Sequence, residues 1–290
     1  MRVAYMGDIV GGLGVRTACA AARELREQHA ADVVIANAEN AANGSGLTPE
    51  LAGKLHDAGC DLLTLGDHAF RKKQIRASLE APDARVLRPL NLPTAAWGRG
   101  VGTVELPAPG GTAAGASIHV VVVLGRLFMT MLQADDPFAA VDAAIADIRR
   151  RDPGRPTIIV EVHAEATSEK VAMGWHLNDR VAAVLGSHTH VPTADSRLLP
   201  NPALDESLPG SGSPLVGGTA FQTDLGMTGP QDGVLGRRAD RVLRHLTSAT
   251  PAAFDVAEGG AAAQGVLLEI DPQTGRALSI KRLQDVLSRG

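Results

Sequence analysis

Short apolar runs, each closed by polar punctuation, recur along the first two-thirds of the chain. Arg2-Val3-Ala4-Tyr5-Met6 runs into Gly7-Asp8, and Asp32-Val33-Val34-Ile35-Ala36 into Asn37-Ala38-Glu39-Asn40. Asp61-Leu62-Leu63-Thr64-Leu65 runs into Gly66-Asp67-His68, and Thr157-Ile158-Ile159-Val160-Glu161-Val162 into His163-Ala164-Glu165. Val181-Ala182-Ala183-Val184-Leu185 leads to Gly186-Ser187-His188-Thr189-His190. Continuous apolar runs of this length, bounded by turn residues, read as strands buried on both faces. Residues 117–124 form another β-branched run, and shorter strands are expected at 84–87 and 101–106.

Helical periodicity fills the intervals. Residues 15–29 place Ala and Leu on one face and Arg, Glu and Gln on the other. Thr48-Pro49-Glu50 opens a helix, with a favourable capping residue followed by proline in the first turn, and Gly59 closes it. Residues 71–79 predict a short helix. Asp136-Pro137 starts one that runs to Arg151, where Pro153 stops it. Strands alternating with helices argue an α/β fold around a central sheet. The rhythm breaks at residues 199–218, a stretch rich in proline and glycine, which reads as a surface loop or insertion. Residues 107–115 read as a smaller loop. A helix near 239–246 follows, then strands at 265–270 and 277–283 joined by Asp271-Pro272-Gln273-Thr274-Gly275 as a hairpin. With no internal repeat and no linker long enough to force a division, residues 1–290 are expected to form a single domain with a loop insertion at 201–218.

Composition narrows the classes. A chain of 290 residues with 44% hydrophobic residues can bury a large core, and 3% aromatic content puts that core on Ala, Val, Leu and Ile. The net charge of −4 offers no general attraction to duplex nucleic acid. No window approaches the roughly 18 apolar residues of a membrane span, and the N-terminus lacks a signal-peptide pattern. Cys19 and Cys60 are too few for a disulfide scaffold and read as small buried hydrophobes. The cytoplasm is the expected compartment.

Parallel sheets place ligand sites beyond the carboxyl ends of their strands. Five such ends here supply Asp8, Glu39, Asn40, Asp67, His68, His163, His188 and His190. Capping or turn roles would explain each residue singly, but not their coincidence at five ends. Mixed nitrogen and oxygen donors suit Zn, Fe, Mn or Ni rather than Ca. A carboxylate such as Glu39 or Asp67 can bridge two cations about 3.5–4 Å apart, and such a pair binds a phosphate and activates a shared water. His68 directly follows a ligand candidate and is placed to protonate a leaving oxygen; the competing reading makes it a supporting hydrogen-bond partner. Asn40 reads either as a phosphate contact or as a turn former. Gly7-Asp8-Ile9-Val10-Gly11-Gly12-Leu13-Gly14 is a poor dinucleotide fingerprint, because the spacing is wrong and Asp8 would repel a pyrophosphate. Those glycines serve either a close approach of backbone to substrate or the turn itself. Gly186 is the expected pivot of the bend that brings His188 and His190 together. His29, His56, His119 and His245 lie on element patterns away from strand ends, and His176 borders the downstream side of His163.

Gly7-Asp8-Ile9-Val10-Gly11, Ala38-Glu39-Asn40-Ala41-Ala42, Thr64-Leu65-Gly66-Asp67-His68, His163-Ala164-Glu165-Ala166-Thr167-Ser168-Glu169-Lys170, Gly186-Ser187-His188-Thr189-His190-Val191 and Thr223-Asp224-Leu225-Gly226-Met227-Thr228-Gly229-Pro230 occur in this order over almost the whole chain. Together they resemble the YmdB-like family of calcineurin-type metallophosphoesterases. The resemblance implies a four-layer α/β/β/α sandwich and a phosphodiesterase acting on cyclic nucleotides of the 2′,3′-cAMP or 3′,5′-cAMP type. It implies two divalent transition-metal ions, Fe or Mn, with Zn as an alternative. Asp8, Glu39 and His190 would hold one ion, and Glu39, Asp67, His163 and His188 the other, with Glu39 bridging. Asn40 would contact the phosphate, His68 would protonate the leaving group, and the chain would form a homo-oligomer. The sequence departs from the family pattern in having Asp67 where Asn is usual, and in a longer segment at 201–218. A phosphomonoesterase of the nucleotidase type and a metal-binding regulatory protein with little turnover remain the alternatives.

Overall fold

The computed structural model describes residues 1–106, 115–153, 156–200 and 218–287. Apart from Gly115 and Gly218, the loop read at 107–115 and the insertion read at 201–218 lie outside the described residues.

The fold is mixed α/β, with parallel and antiparallel strands in more than one sheet. In chain order the elements are β1 (Arg2–Met6), β2 (Asp8–Ile9), α1 (Gly11–Glu27), β3 (Val33–Asn37), α2 (Pro49–Asp57), β4 (Leu62–Thr64), α3 (Arg76–Leu79), β5 (Val86–Leu87), β6 (Val101–Glu105) and β7 (Ser117–Leu124). They continue as α4 (Pro137–Arg151), β8 (Thr157–His163), α5 (Thr167–His176), β9 (Ala183–Ser187), β10 (Arg197–Leu198), β11 (Ala220–Gln222), β12 (Met227–Pro230), α6 (Ala239–Ser248), β13 (Ala261–Ala262), β14 (Gly265–Ile270) and β15 (Ala277–Arg282). The central sheet expected from the alternation is in fact two six-stranded sheets, ordered β15-β14-β1-β3-β4-β5 and β10-β11-β9-β8-β7-β6, with a small third sheet β13-β12-β2. Apolar runs identify strands but carry no label for the partner, so one sheet and two sheets look alike along the chain.

Strand parity divides the apolar residues between two surroundings. Val3 and Tyr5 of β1, Val33 and Ile35 of β3, and Ile159 of β8 share one hydrophobic cluster with Ala183 and Leu185 of β9. That cluster draws on both large sheets. The alternate residues, Ala4, Met6, Val34 and Ala36, pack instead with Ala18, Ala22 and Leu25 of α1 and Leu55 of α2. On the other sheet Val160 and Val162 pack with Ile145 and Ile148 of α4 and Met173 of α5. Asn37, Glu161, His163 and Ser187 have the parity of the cluster shared by the two sheets, so four polar side chains follow the apolar ones to its carboxyl end.

The helix signals are realised in local chemistry. Thr48 accepts a hydrogen bond from Leu51 N (3.4 Å), with Pro49 in the first turn. Asp136 accepts from Phe138 N (2.9 Å) and Ala139 N (3.4 Å) ahead of Pro137. α1 begins at Gly11, earlier than periodicity implied, because the first-turn glycines let the helix lie against the third sheet: a Cβ on Gly14 would stand 2.5 Å from Thr228 O. Residues 71–79 give only a 3₁₀ turn, Lys73–Ile75, and the short α3. Among the described residues no helix is long and apolar enough to cross a membrane.

Gly186 lies inside β9 and is not the pivot of the following bend. Positive φ at His188 (96°) and His190 (62°) makes that bend. The glycine is required because Thr223 passes directly over it: a Cβ there would sit 1.7 Å from Thr223 O. Gly186→Ala is therefore expected to destabilise the fold by about 1–3 kcal/mol, the usual range for overpacking. A shift in the urea midpoint measures it, and a midpoint unchanged from wild type would show that the crossing chain yields.

Candidate metal centre

Backbone register brings the chemistry together. In the first sheet Met6 is level with Ala36, and Asn37 with Thr64, so Asp8, Glu39 and Asp67 follow aligned strand ends within two or three residues. In the second sheet Leu124, His163 and Ser187 are level, and His188 and His190 follow. β2 pairs with β12, Asp8 opposite Met227, which fixes Asp8 between the two groups.

One donor atom from each of Glu39, Asp67, His163 and His188 lies within 4.8 Å of the other three. His163 Nε2 is 3.1 Å from both Glu39 Oε1 and Asp67 Oδ1, and His188 Nδ1 is 3.1 Å from His163 Nε2 and 3.4 Å from Asp67 Oδ1. Asp8 adjoins through the backbone of His188, whose N–H donates to Asp8 Oδ2 (3.2 Å), and through His190, whose Nε2 is 3.9 Å from Asp8 Oδ1. Asn40 Nδ2 is 3.1 Å from His190 Nε2 and 3.3 Å from Glu39 Oε1, while Asn40 Oδ1 meets His68 Nδ1 at 2.8 Å. These contacts join all eight residues picked from the strand ends. His176 is elsewhere, 2.9 Å from Asp142 on α4, and His29, His56, His119 and His245 also make their contacts away from the cluster.

Three buried carboxylates so close together need positive charge. Burial, reinforced by Glu39, Asp224 and Glu161 and opposed by His163, pushes the Asp8 carboxyl up to about 7. Asp8 Oδ1 is buried with no hydrogen-bond partner in the protein. Burial alone would hold His163 neutral, but Glu39, Asp67 and Glu161 overcome it and drive its pKa well above the ordinary imidazole value. Burial likewise opposes ionisation of Asp67, yet hydrogen bonds from His163 and His188 hold it well below the usual carboxylate range. A proton on His163 thus supplies the charge that the carboxylates demand. An orphan carboxylate oxygen beside a cluster of oxygen and imidazole donors is what a divalent transition metal would satisfy.

Supporting residues set the tautomers. Ser187 Oγ donates to Glu161 Oε1 (2.6 Å) and so accepts from His163 Nδ1 (2.8 Å), which leaves Nε2 as the nitrogen that faces Glu39 and Asp67 and that a metal would take in place of its proton. His190 Nδ1 donates to Leu235 O (3.2 Å), which frees Nε2. His188 Nε2 lies 3.1 Å from Glu165 Oε2, leaving Nδ1 for the cluster. The backbone N–H groups of Gly66 (2.7 Å) and His68 (3.0 Å) donate to Glu39 Oε2. Lys170, buried on α5, donates to Asp224 Oδ2 (2.6 Å), which also accepts from Thr189 N and Oγ1 and so braces the strained His188–His190 turn. Glu161 and Ser187 were not picked out from the sequence. A lone acid inside the run 157–162 was the available signal. Lys170 and Asp224 stood within quoted motifs without a role.

The family model described as YmdB-like protein matches residues 4–283. The chain belongs to the YmdB-like family. It is 37% identical over 284 residues to the 2′,3′-cyclic-nucleotide 2′-phosphodiesterase of Bacillus subtilis (strain 168), covering 98% of this chain and 96% of the relative. It is also similar to the crystal structure of a hypothetical protein from Thermus thermophilus, with a TM-score of 0.80, 37% identity and coverage of 97% and 98% of the two chains. A novel phosphatase of Mycoplasma pneumoniae matches with a TM-score of 0.80 at 28% identity, covering 97% of this chain and 92% of the other.

Replacing the Asp67 carboxylate by an amide removes one negative charge from the cluster. Asp67→Asn is expected to weaken binding of one equivalent of Mn²⁺ by roughly tenfold or more while the protein stays folded, since a direct carboxylate contact contributes on the order of a few kcal/mol in a partly wet site. Calorimetric metal titration of both forms, with far-UV circular dichroism as the folding control, reads this out. Identical affinities would remove Asp67 from the metal centre.

Proposed function

We propose that this chain is a metal-dependent phosphodiesterase that hydrolyses cyclic nucleotides or related phosphodiesters. The observation that carries the reading is the convergence of Glu39, Asp67, His163 and His188 at the ends of strands from both large sheets, in a chain whose Bacillus subtilis relative bears the name of a cyclic-nucleotide phosphodiesterase. We read the two sheets sharing one apolar cluster, with helices on their other faces, as a four-layer α/β/β/α sandwich forming a single domain.

In this reading Asp8, Glu39 and His190 hold one ion and Glu39, Asp67, His163 and His188 the other, with Fe or Mn as the metal. Two divalent cations there would supply positive charge against the phosphate and lower the pKa of a water held between them. Asn40 is our substrate contact: its side chain lies between Glu39, His190 and His68, where its amide can donate to a phosphate oxygen. His68 is our general acid. With Nδ1–H donated to Asn40 Oδ1, Nε2 is the nitrogen left to carry a proton to the leaving oxygen. Burial holds the His68 pKa below the ordinary imidazole value, which favours release of that proton once it is bound. Unbridged Cys19 and Cys60 support a reducing, cytoplasmic setting. A homo-oligomer is supported by α6, which buries none of its residues and exposes Leu243 and Leu246.

Purified protein with Mn²⁺ should cleave bis-p-nitrophenyl phosphate faster than p-nitrophenyl phosphate and lose that activity to a chelator. Preference for the monoester would make it a phosphomonoesterase, and inactivity on both would favour a binding protein. His68→Ala should slow hydrolysis of a cyclic nucleotide, which has a poor leaving group, by roughly 10²–10⁴-fold. Its effect on the nitrophenyl diester should be much smaller, with metal content unchanged. Equal losses on both substrates, or loss of metal, would make His68 a structural residue or a ligand.

A further inference from the structure

The loop that follows β7 presents an aromatic side chain to solvent and is anchored at the end of the strand that carries His163. Leu127, Phe128 and Met131 are 49%, 81% and 44% exposed, and Phe128 holds a left-handed backbone with φ of 63°. A bulky residue at positive φ is a true outlier, and it persists only where its surroundings impose it. Here they do. Buried Asn91 closes the base of the loop: its Nδ2 donates to Leu124 O and Asp135 O (2.8 Å each), and its Oδ1 accepts from Leu124 N (2.9 Å). Gly125 N donates to His163 O (2.9 Å), at the end of the strand that carries a proposed ligand. The buried Glu169 carboxylate then accepts from Arg126 N (2.9 Å) and Leu127 N (3.3 Å), which fixes the backbone immediately before Phe128.

The same loop meets the other wall of the centre. Arg71 Nη2 reaches Met131 Sδ (2.9 Å), while Arg71 N donates to His68 O (3.1 Å). Three Cα steps separate Phe128 from Gly125, which keeps it within about 11 Å of a residue bonded to His163. An apolar ring left in solvent on a loop whose backbone is fixed in this way is costly in water and gains most from a flat, apolar-faced partner. A nucleobase joined through ribose to a phosphate has that shape, and the loop runs from the strand end of His163 to Arg71, whose backbone is bonded to His68.

We propose that Phe128 is the stacking platform for the nucleobase of the substrate, flanked by Leu127 and Met131, and that it confers preference for nucleoside cyclic phosphates over base-free ones. The inference rests on the phosphodiesterase reading and names a binding determinant within it. The test compares adenosine 2′,3′-cyclic phosphate with methyl riboside 2′,3′-cyclic phosphate, using metal-loaded wild type, Phe128→Ala, Phe128→Leu and Phe128→Trp. The Ala and Leu variants should raise KM for the nucleotide by roughly tenfold, in line with loss of one base–aromatic stack. Their kcat should change less than about twofold, their KM for the base-free ester should stay put, and Trp should retain the wild-type preference. Should Ala fail to fold, Leu carries the same comparison, since it keeps an apolar side chain but has no aromatic face. Equal effects on both esters, or none on the nucleotide, would overturn the platform while leaving the phosphodiesterase reading intact. Loss of an oligomer on size-exclusion chromatography, with parallel loss on both esters, would also overturn it and assign Phe128 to a subunit interface instead. A wild-type protein that cleaves neither ester overturns the phosphodiesterase reading, and the platform with it.

Discussion

A carboxylate taken out of water costs several kcal/mol unless its oxygens are fully hydrogen-bonded, and Glu161 lies fully buried on an interior-facing position of β8. Tyr5 Oη donates to Oε2 (2.5 Å), and Asn37 Nδ2 (2.7 Å) and Ser187 Oγ (2.6 Å) donate to Oε1. Tyr5 and Asn37 belong to one large sheet, Glu161 and Ser187 to the other. The apolar cluster shared by the two sheets is non-directional and would tolerate sliding. This polar knot does not, because a displaced sheet would leave a buried charge without donors. It therefore sets the relative position of the strand ends that carry Glu39, Asp67, His163 and His188. Through Ser187 the same knot selects which nitrogen of His163 faces the cluster.

At the centre itself the energetics are reversed. The fold gives up stability to crowd Asp8, Glu39 and Asp67 together, and the surroundings show how that is tolerated. Backbone N–H groups of Gly66 and His68 meet one oxygen of Glu39, while the imidazole of His163 is driven toward its charged form. The strained turn at His188 and His190 is held by Asp224, whose own charge is met by Lys170 in the interior. Removing one partner of such a buried pair typically costs about 3–5 kcal/mol, so the ion pair behind the turn matters as much to the site as the imidazoles on it. Strain and unpaired charge collect where a cation and a phosphate would use them.

The support and the rim are built differently. Behind the centre, Glu161, Ser187, Lys170 and Asp224 are buried and hydrogen-bonded. In front, the loop after β7 is fixed through its backbone, by Asn91 and Glu169, and leaves Phe128 in solvent. Rigid backbone with free side chains suits recognition of a variable part of a substrate, while the bonded interior suits ligands that must not move.

Local chemistry made much of this protein legible in one dimension. Thr48-Pro49 and Asp136-Pro137 start helices because a side-chain oxygen meets free N–H groups and proline needs no partner in the first turn. The hairpin of β14 and β15 follows from its turn residues, and the eight polar residues at strand ends stood out because each interrupts an apolar run. Tertiary structure alone decided what depends on partners distant along the chain. Two large sheets stand where alternation alone implied a single central one, since a buried strand reads the same whichever neighbour it pairs with. Gly186 owes its identity to Thr223 crossing over it, and the bend assigned to it is made by His188 and His190. Glu161 was visible only as an acid inside a strand. That it meets Tyr5 from 156 positions away is set by the packing of the two sheets, which no local pattern encodes.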